Sequence, residues 1–335
     1  MPRLLLHAPV CRFVTAVTFS AAGLTAQQPS PMAAQSDVTM GLLRDPALAA
    51  AISEISAAQM RATDSVLVSF GTRHSMSDTV SNTRGIGAAR RYLFNKLSDY
   101  SKACGGCLRI EYDPAMMEMR GHPQRPMVNI VNVLAWLPGR DTSRVVVMGG
   151  HYDSCICSRS DLGPLARFEA TQDAPGADDD GSGTSAVVEL ARVFSKHFPR
   201  GLEASIIFVA YSGEEEGLYG STHLAQRLHA AGYKIAAAFT DDIVGNIVAE
   251  DGSIDSTTVR IFGAEPDNGP SRELARYAWA TGTIYNPAFK ILPVKLPVRP
   301  WPVTIVTLKN RTLSPVVELF IACAREIAKS VEPNR

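Results

Sequence analysis

The chain has 335 residues, 46% of them hydrophobic, enough for one large core or two small ones. Lys and Arg together number 33, Asp and Glu number 33, and the formal net charge is zero. That balance leaves no electrostatic case for nucleic acid or an anionic membrane, and no internal repeat or low-complexity tract interrupts the chain.

Residues 1–26 read as an export signal. Arg3 supplies a positive start, Phe13 to Leu24 is mostly apolar or small, and Ala26 precedes Gln27, Gln28 and Pro29. The run is too short to span a bilayer. The expectation is cleavage near Ala26, no stable membrane insertion afterwards, and a periplasmic or secreted protein. Residues 27–44 read as a mobile linker. Residues 45–335 read as one domain, with a helical extension over 45–100 and an atypical segment over 291–335.

In chain order, Asp45 and Pro46 suit the cap and first turn of a helix running to about Phe70. A second helix follows Gly85, with Ala89, Leu93, Phe94 and Leu97 on one face. Leu108 to Tyr112 and Asn129 to Leu137 alternate like strands, and Pro138-Gly139 turns the chain. Val145 to Gly150 is a continuous apolar run, as in a buried central strand. A long loop leads to a helix over Gly183 to Phe198. Ala204 to Ala210 is a second buried strand, Leu218 to Ala230 a helix and Ile235 to Phe239 a third strand. Val259 to Phe262, Pro270 to Thr281 and Val303 to Leu308 read as strand, helix and strand, and Ser314-Pro315 starts a last helix through Val331. This alternation predicts an α/β fold: a three-layer sandwich with a mostly parallel mixed sheet and helices on both faces.

Cys104 and Cys107 form one close pair, Cys155 and Cys157 another. In an oxidising compartment they can form disulfides, within or between pairs. Structural zinc is the weaker reading, because Cys155 and Cys157 are too close for the usual zinc knuckle. Cys323 reads as a small core residue in the last helix.

Four segments carry acidic or imidazole side chains just past predicted strands or leading into a helix. They are His151-Tyr152-Asp153, Asp178-Asp179-Asp180, Glu214-Glu215 and Asp241-Asp242. Ligands in open α/β sheets bind at the carboxyl ends of the strands, so all four can converge on one crevice. Zinc takes this mix of imidazole and carboxylate. Two adjacent ions repel, and a bridging carboxylate, for which Asp179 is the choice, offsets the repulsion. Asp153 can accept the second ring N–H of His151 and fix its tautomer. Of Glu214 and Glu215, one can bind metal while the other faces water as general base. Each segment alone has an ordinary reading as a helix cap, a solvated charge run or a loop. All four in order favour a metal site. No G-x-S-x-G elbow is present, and the three aspartates before Gly181-Ser182-Gly183 would repel a phosphate.

The stretches GGHYDS, PGADDDGSG, YSGEEEGLYGS and DDIVGN resemble the metal segments of exported bacterial di-zinc aminopeptidases, of the aminopeptidase S and bacterial leucyl aminopeptidase type. FGTRHS at Phe70 to Ser75 and TRGIGAARRYL from Thr83 resemble the same family's N-terminal region, so the likeness runs from Leu67 to Lys290. It implies the zinc-exopeptidase, phosphorylase/hydrolase-like fold. It also implies two zinc ions, one on His151, Asp179 and Asp242, the other on Asp179 and Glu215. Asp153 would support His151. Glu214 would be the general base for a metal-activated water that cleaves an N-terminal peptide bond.

The chain departs from that family in one place. The family's fifth ligand is a late histidine, and here no histidine follows His229. Three explanations stay open: a shifted reading frame over the proline-rich end, loss of the second zinc, or replacement by another donor such as Glu265 or Asp267. The alternatives to an aminopeptidase are a catalytically impaired relative serving as a binding or structural protein, or a dipeptidase or carboxypeptidase of the same clan. A glutaminyl cyclase fits less well, since it too relies on the late histidine.

Overall fold

A computed structural model describes residues 44–157, 166–249, 251–263, 269–286 and 290–293. The expected export signal, nearly all of the expected linker, the strand expected at Val303 to Leu308 and the last helix fall outside the described residues, as do Glu265 and Asp267.

Five strands form one mixed sheet: β1 (Arg109–Glu118), β2 (Met127–Leu137), β3 (Asp141–His151), β4 (Ala204–Tyr211) and β5 (Lys234–Thr240), in the order β1-β2-β4-β3-β5. β1 pairs antiparallel with β2, and β2 with β4. β3 runs parallel to both β4 and β5. β6 (Thr258–Ile261) and β7 (Lys290–Pro293) make a separate parallel pair. The expected α/β sandwich is therefore present, and its parallel strands are those that carry the acidic segments.

The central strands β2 and β4 are covered on both faces, which explains their apolar runs. Side chains alternate along a strand. On β4, Ile206, Phe208 and Ala210 face one layer, while Ile207, Val209 and Tyr211 face the other. The first layer holds Leu67 from α2 (Ala57–Ser69), Ala89, Leu93 and Leu97 from α3 (Gly85–Ala103), and Val187 and Ala191 from α4 (Gly183–His197). The second holds Leu224 and Leu228 from α5 (Tyr219–Ala230). A strand buried on both faces has no polar face to alternate with, so it reads as continuous hydrophobicity. β1 lies at the sheet edge and runs on through Pro114, which an edge strand tolerates. α6 (Pro270–Tyr285) likewise runs past its expected end at Thr281. Among the described residues no helix is long and apolar enough to cross a membrane.

The single helix expected from Asp45 to about Phe70 is two helices, α1 (Pro46–Ser53) and α2. Asp45 caps α1 as expected, accepting from the amides of Ala47 and Leu48. Ser56 then caps a fresh start by accepting from the Gln59 amide at 3.3 Å. Side chains of α4 hold the break open. Glu189 accepts from the Ser56 amide at 2.7 Å, and Arg192 donates to the Glu54 carbonyl at 2.7 Å. Two tertiary hydrogen bonds thus outcompete two helical ones.

Asn132 on β2 ties three elements together beneath the acidic segments. Its side-chain amide donates to Asp113 Oδ2 and to the Gly220 carbonyl, both at 2.9 Å. Its Oδ1 accepts from the Ser212 amide at 3.1 Å. A Cβ at Gly220 would sit 2.2 Å from Asn132 Oδ1, so glycine is required at this contact. Replacing Asn132 with alanine should strand these buried partners. We expect a loss of roughly 2–4 kcal/mol, read as a lower urea midpoint at unchanged slope.

Candidate metal centre

Strand register brings the acidic segments together. His151 at the end of β3 pairs with Tyr211 at the end of β4, and Gly149 pairs with Thr240 at the end of β5. Pairing continues past the strands: the Tyr152 amide donates to the Tyr211 carbonyl at 2.9 Å, and the Asp241 amide to the Gly149 carbonyl at 2.8 Å. Glu214 and Asp242 therefore leave the sheet on either side of His151. The fourth segment is a kinked turn, Ala177–Ser182, in which Asp179 and Asp180 leave helical geometry before the chain enters α4.

His151 Nε2 lies 3.1 Å from Asp179 Oδ1, 3.9 Å from Asp242 Oδ1 and 3.9 Å from Glu214 Oε2. Ligand atoms of His151, Asp179 and Asp242 all fall within 4.8 Å of one another. The His151–Asp179 contact lacks hydrogen-bond geometry, so the buried Nε2 has no hydrogen-bond partner. Glu215 is in a different cluster. Its carboxylate sits with the sulfurs of Cys155 and Cys157, again within 4.8 Å.

Asp153 lies beside His151 and reaches to the Glu215 segment as well. Its carboxylate is 3.7 Å from His151 Nδ1, too far for a hydrogen bond, and the nearer acceptor is its own backbone carbonyl at 3.3 Å. The carboxylate accepts from the Glu215 amide through Oδ2 at 3.1 Å. Asp153 thus links the His151 and Glu215 segments. Its neighbours have distinct tasks too. Asp180 is fully buried and accepts from the amides of His151 at 2.9 Å and Gly183 at 2.7 Å, stapling β3 to α4. Asp178 accepts from the Gly245 amide at 3.0 Å and so holds the loop after Asp242.

Sequence reasoning missed two buried anchors. Arg73 is wholly buried beneath these loops. Its guanidinium donates to the carbonyls of Tyr152 at 2.6 Å, Gly176 at 2.8 Å and Leu67 at 3.3 Å, and also to Pro175. Burial lowers its pKa to about 10, against the pull of Asp153, Asp64, Asp180 and Asp179, so it stays a cation at neutral pH. The second anchor is Glu216, which accepts from the Ser75 hydroxyl at 2.8 Å and lies 3.3 Å from His74 Nε2. His74 takes the Met76 amide on Nδ1 and donates Nε2–H to the Arg167 carbonyl at 2.7 Å, as a neutral ring would. Both Arg73 and His74 lie in FGTRHS, whose buried polar pair was the available signal.

The acidic groups are crowded beyond what the surrounding cations neutralise. Burial, then like charges, pushes Glu215 up to about 8, and burial pushes Asp180 to about 8 and Asp241 to about 6. Glu214 and Asp242 are raised for the same two reasons. Burial alone would lower His151, but Asp179 and then Asp153, Asp180 and Glu214 raise it to about 10. His151, its Nε2 without a hydrogen-bond partner, and the raised carboxylates around it form the donor set a zinc ion takes as their protons leave.

Two pairs of cysteines are disulfide-bonded, Cys104 to Cys107 and Cys155 to Cys157. The pairing is within each close pair.

Comparison with known proteins agrees with this geometry. Residues 132–286 match the sequence profile described as Peptidase family M28. This segment belongs to family M28. It contains every candidate ligand, from His151 to Asp242. A probable zinc metalloprotease of Pyrenophora tritici-repentis is 39% identical over 255 residues, covering 70% of this chain and 50% of its own. One from Pyricularia oryzae is 35% identical over 277 residues, covering 77% and 53%. The chain thus spans about half the length of these curated relatives, which are fungal where the sequence likeness pointed to bacterial enzymes. Two solved LapA structures from Legionella share the fold. One gives a TM-score of 0.52 at 21% identity, covering 75% of this chain and 59% of that one. The other, described as an aminopeptidase, gives 0.50 at 21%, covering 72% and 55%.

Two outcomes follow for the M28 site. Arg73→Met should weaken zinc binding about 10–100-fold, since the loops bearing His151 and Asp179 lose their shared anchor, measured by competition with a chromophoric chelator. The second concerns pH. Asp180, Glu215 and Glu216 each have a folded pKa of about 8, above the ordinary carboxylate value. A raised pKa gives stability that is full at low pH and lost as pH climbs to the folded value. The metal-free protein should therefore lose Tm between about pH 4.5 and 8. Zinc binds the deprotonated groups, so the gain in Tm on adding zinc should grow over that window. A metal-free Tm that rises with pH would contradict this account.

Proposed function

We propose that the protein is a zinc-dependent exopeptidase that releases N-terminal residues from peptides. The observation that carries this reading is the convergence of His151, Asp179 and Asp242 at the carboxyl ends of parallel strands, with Glu214 3.9 Å from His151 Nε2. The names of the metalloprotease relatives support the zinc chemistry, and the LapA likeness supports the aminopeptidase type. Zinc, when bound there, supplies Lewis acidity that polarises a carbonyl and makes water a better nucleophile at neutral pH. The protein's own groups do the rest. His151, Asp179 and Asp242 hold the ion. Glu214 is half-buried and raised by burial, so it is poised to take a proton from the attacking water and return it to the leaving amine. Asp153 keeps the Glu215 segment in place, and Arg73 keeps the backbones of the His151 and Asp179 loops in place. The export signal expected at residues 1–26 and the Cys104–Cys107 disulfide support an extracytoplasmic site of action.

A second reading, a relative with impaired catalysis, is favoured by the lack of any histidine after His229. One experiment separates the two. Zinc-reconstituted protein is assayed with leucyl-p-nitroanilide beside Glu214→Gln and His151→Ala. On the peptidase reading, Glu214→Gln keeps its zinc while kcat falls about 10²–10⁴-fold, and His151→Ala loses both metal and turnover. Zinc bound with no turnover in the unaltered protein would favour the impaired relative.

A further inference from the structure

We propose that Cys155 and Cys157, once reduced, join Glu215 as ligands of a second metal ion, so that disulfide chemistry opens and closes that site. The inference rests on the zinc-peptidase reading, because it places the second ion beside the first.

The geometry is that of a compact ligand set. Both sulfurs and a Glu215 carboxylate oxygen lie within 4.8 Å of one another, and Cys157 Sγ is 3.6 Å from Glu215 Oε2. The set is held in place from below. The Glu215 amide donates to Asp153 Oδ2 at 3.1 Å, and the buried Ser154 between Asp153 and Cys155 donates to the Ala174 carbonyl at 2.7 Å while accepting from the Arg73 amide at 3.0 Å. The Cys157 amide points at Cys155 Sγ at 3.1 Å, a donor suited to a thiolate. Access is open, since Cys157 is exposed and Cys155 and Glu215 are half-buried. The set adjoins the His151 cluster through Asp153, whose Oδ2 accepts from the Glu215 amide at 3.1 Å and whose Oδ1 lies 3.7 Å from His151 Nδ1. The other disulfide is a control within the same molecule. Cys104 and Cys107 belong to no metal-sized group of His, Cys, Asp or Glu among the described residues.

The chemistry favours sulfur at this position. Glu215 with a shared Asp179 leaves a second ion short of the three protein ligands a zinc site usually keeps, and thiolate is a preferred zinc ligand. A disulfide with one residue between its cysteines also gains little from chain entropy, so its closure does little for stability. Opening it takes two electrons and two protons. A dithiol reductant supplies both, becomes its own disulfide, and leaves Cys155 and Cys157 as thiols. Metal binding then releases one proton from each thiol as the metal–sulfur bonds form.

The test uses metal-free full-length protein under anaerobic conditions, titrated with cobalt(II). One sample stays oxidised. The other is reduced with a water-soluble phosphine, which takes the oxygen of one water to become its oxide and leaves two thiols. Stoichiometry is read together with the near-ultraviolet thiolate-to-cobalt charge-transfer band. The reduced protein should bind one more equivalent than the oxidised protein and show the band. Cys155→Ser/Cys157→Ser should lose both in either state, while reduced Cys104→Ser/Cys107→Ser keeps both. A band that survives in the Cys155→Ser/Cys157→Ser protein, an extra equivalent without a band, or no extra equivalent would each overturn the proposal. If the first equivalent also fails to bind, the zinc-peptidase reading falls with it. If the first binds normally, only the proposal falls.

Discussion

Parallel pairing of β3 with β4 on one side and β5 on the other decides where three acidic segments leave the sheet. His151 stands opposite Tyr211, and Asp242 follows Thr240, which stands opposite Gly149. A one-residue slip in either pairing would turn every side chain of a strand to the wrong layer. On β4 it would therefore send Ile207 and Val209 into the layer shaped for Ile206 and Phe208, at a cost far above that of moving a surface loop. Core packing thus positions the site. The hydrophobic layers fix the register, and the register fixes the distance from His151 to Glu214 and Asp242.

That placement works against the charges it gathers. Burial and like charge raise Asp180, Glu214, Glu215, Asp241 and Asp242 together. A fold this concentrated in carboxylates must hold them by other means until a cation arrives. Two devices are visible. Backbone amides satisfy Asp180, Asp178 and Asp153, which removes these three from the contest for metal. Arg73 sits beneath the loops and offers its whole guanidinium to carbonyls, not to carboxylates. It offsets the negative potential of the region without capping any candidate ligand, which an ion pair with Asp179 or Asp242 would do.

What the sequence revealed depended on how local the signal was. β3 and β4 were legible because strands buried on both faces have continuous apolar runs. His151, Asp179 and Asp242 were legible because each follows such a run or leads into a helix. The break between α1 and α2 was not, because Glu189 and Arg192 impose it from more than 130 positions away. The second contact of Asp153, from the Glu215 amide to Oδ2, was hidden for a similar reason, since it comes from another strand end. Arg73 and Glu216 are buried polar groups whose partners lie on distant loops, and no periodicity encodes such contacts.

The two ligand clusters also differ in kind. His151, Asp179 and Asp242 offer nitrogen and oxygen in any redox state. Beside Glu215, the nearest donors are sulfurs, which are available to a metal only as thiols. While the disulfide is closed, a second dication there would meet one carboxylate and the repulsion of the first ion. With the disulfide open, two thiolates would add two negative charges and two soft donors to the same position. The first cluster therefore depends on strand register and on the turn that carries Asp179, whereas the second depends also on the oxidation state of two exposed or half-buried sulfurs. A site built this way can hold its first ion under conditions that deny it the second.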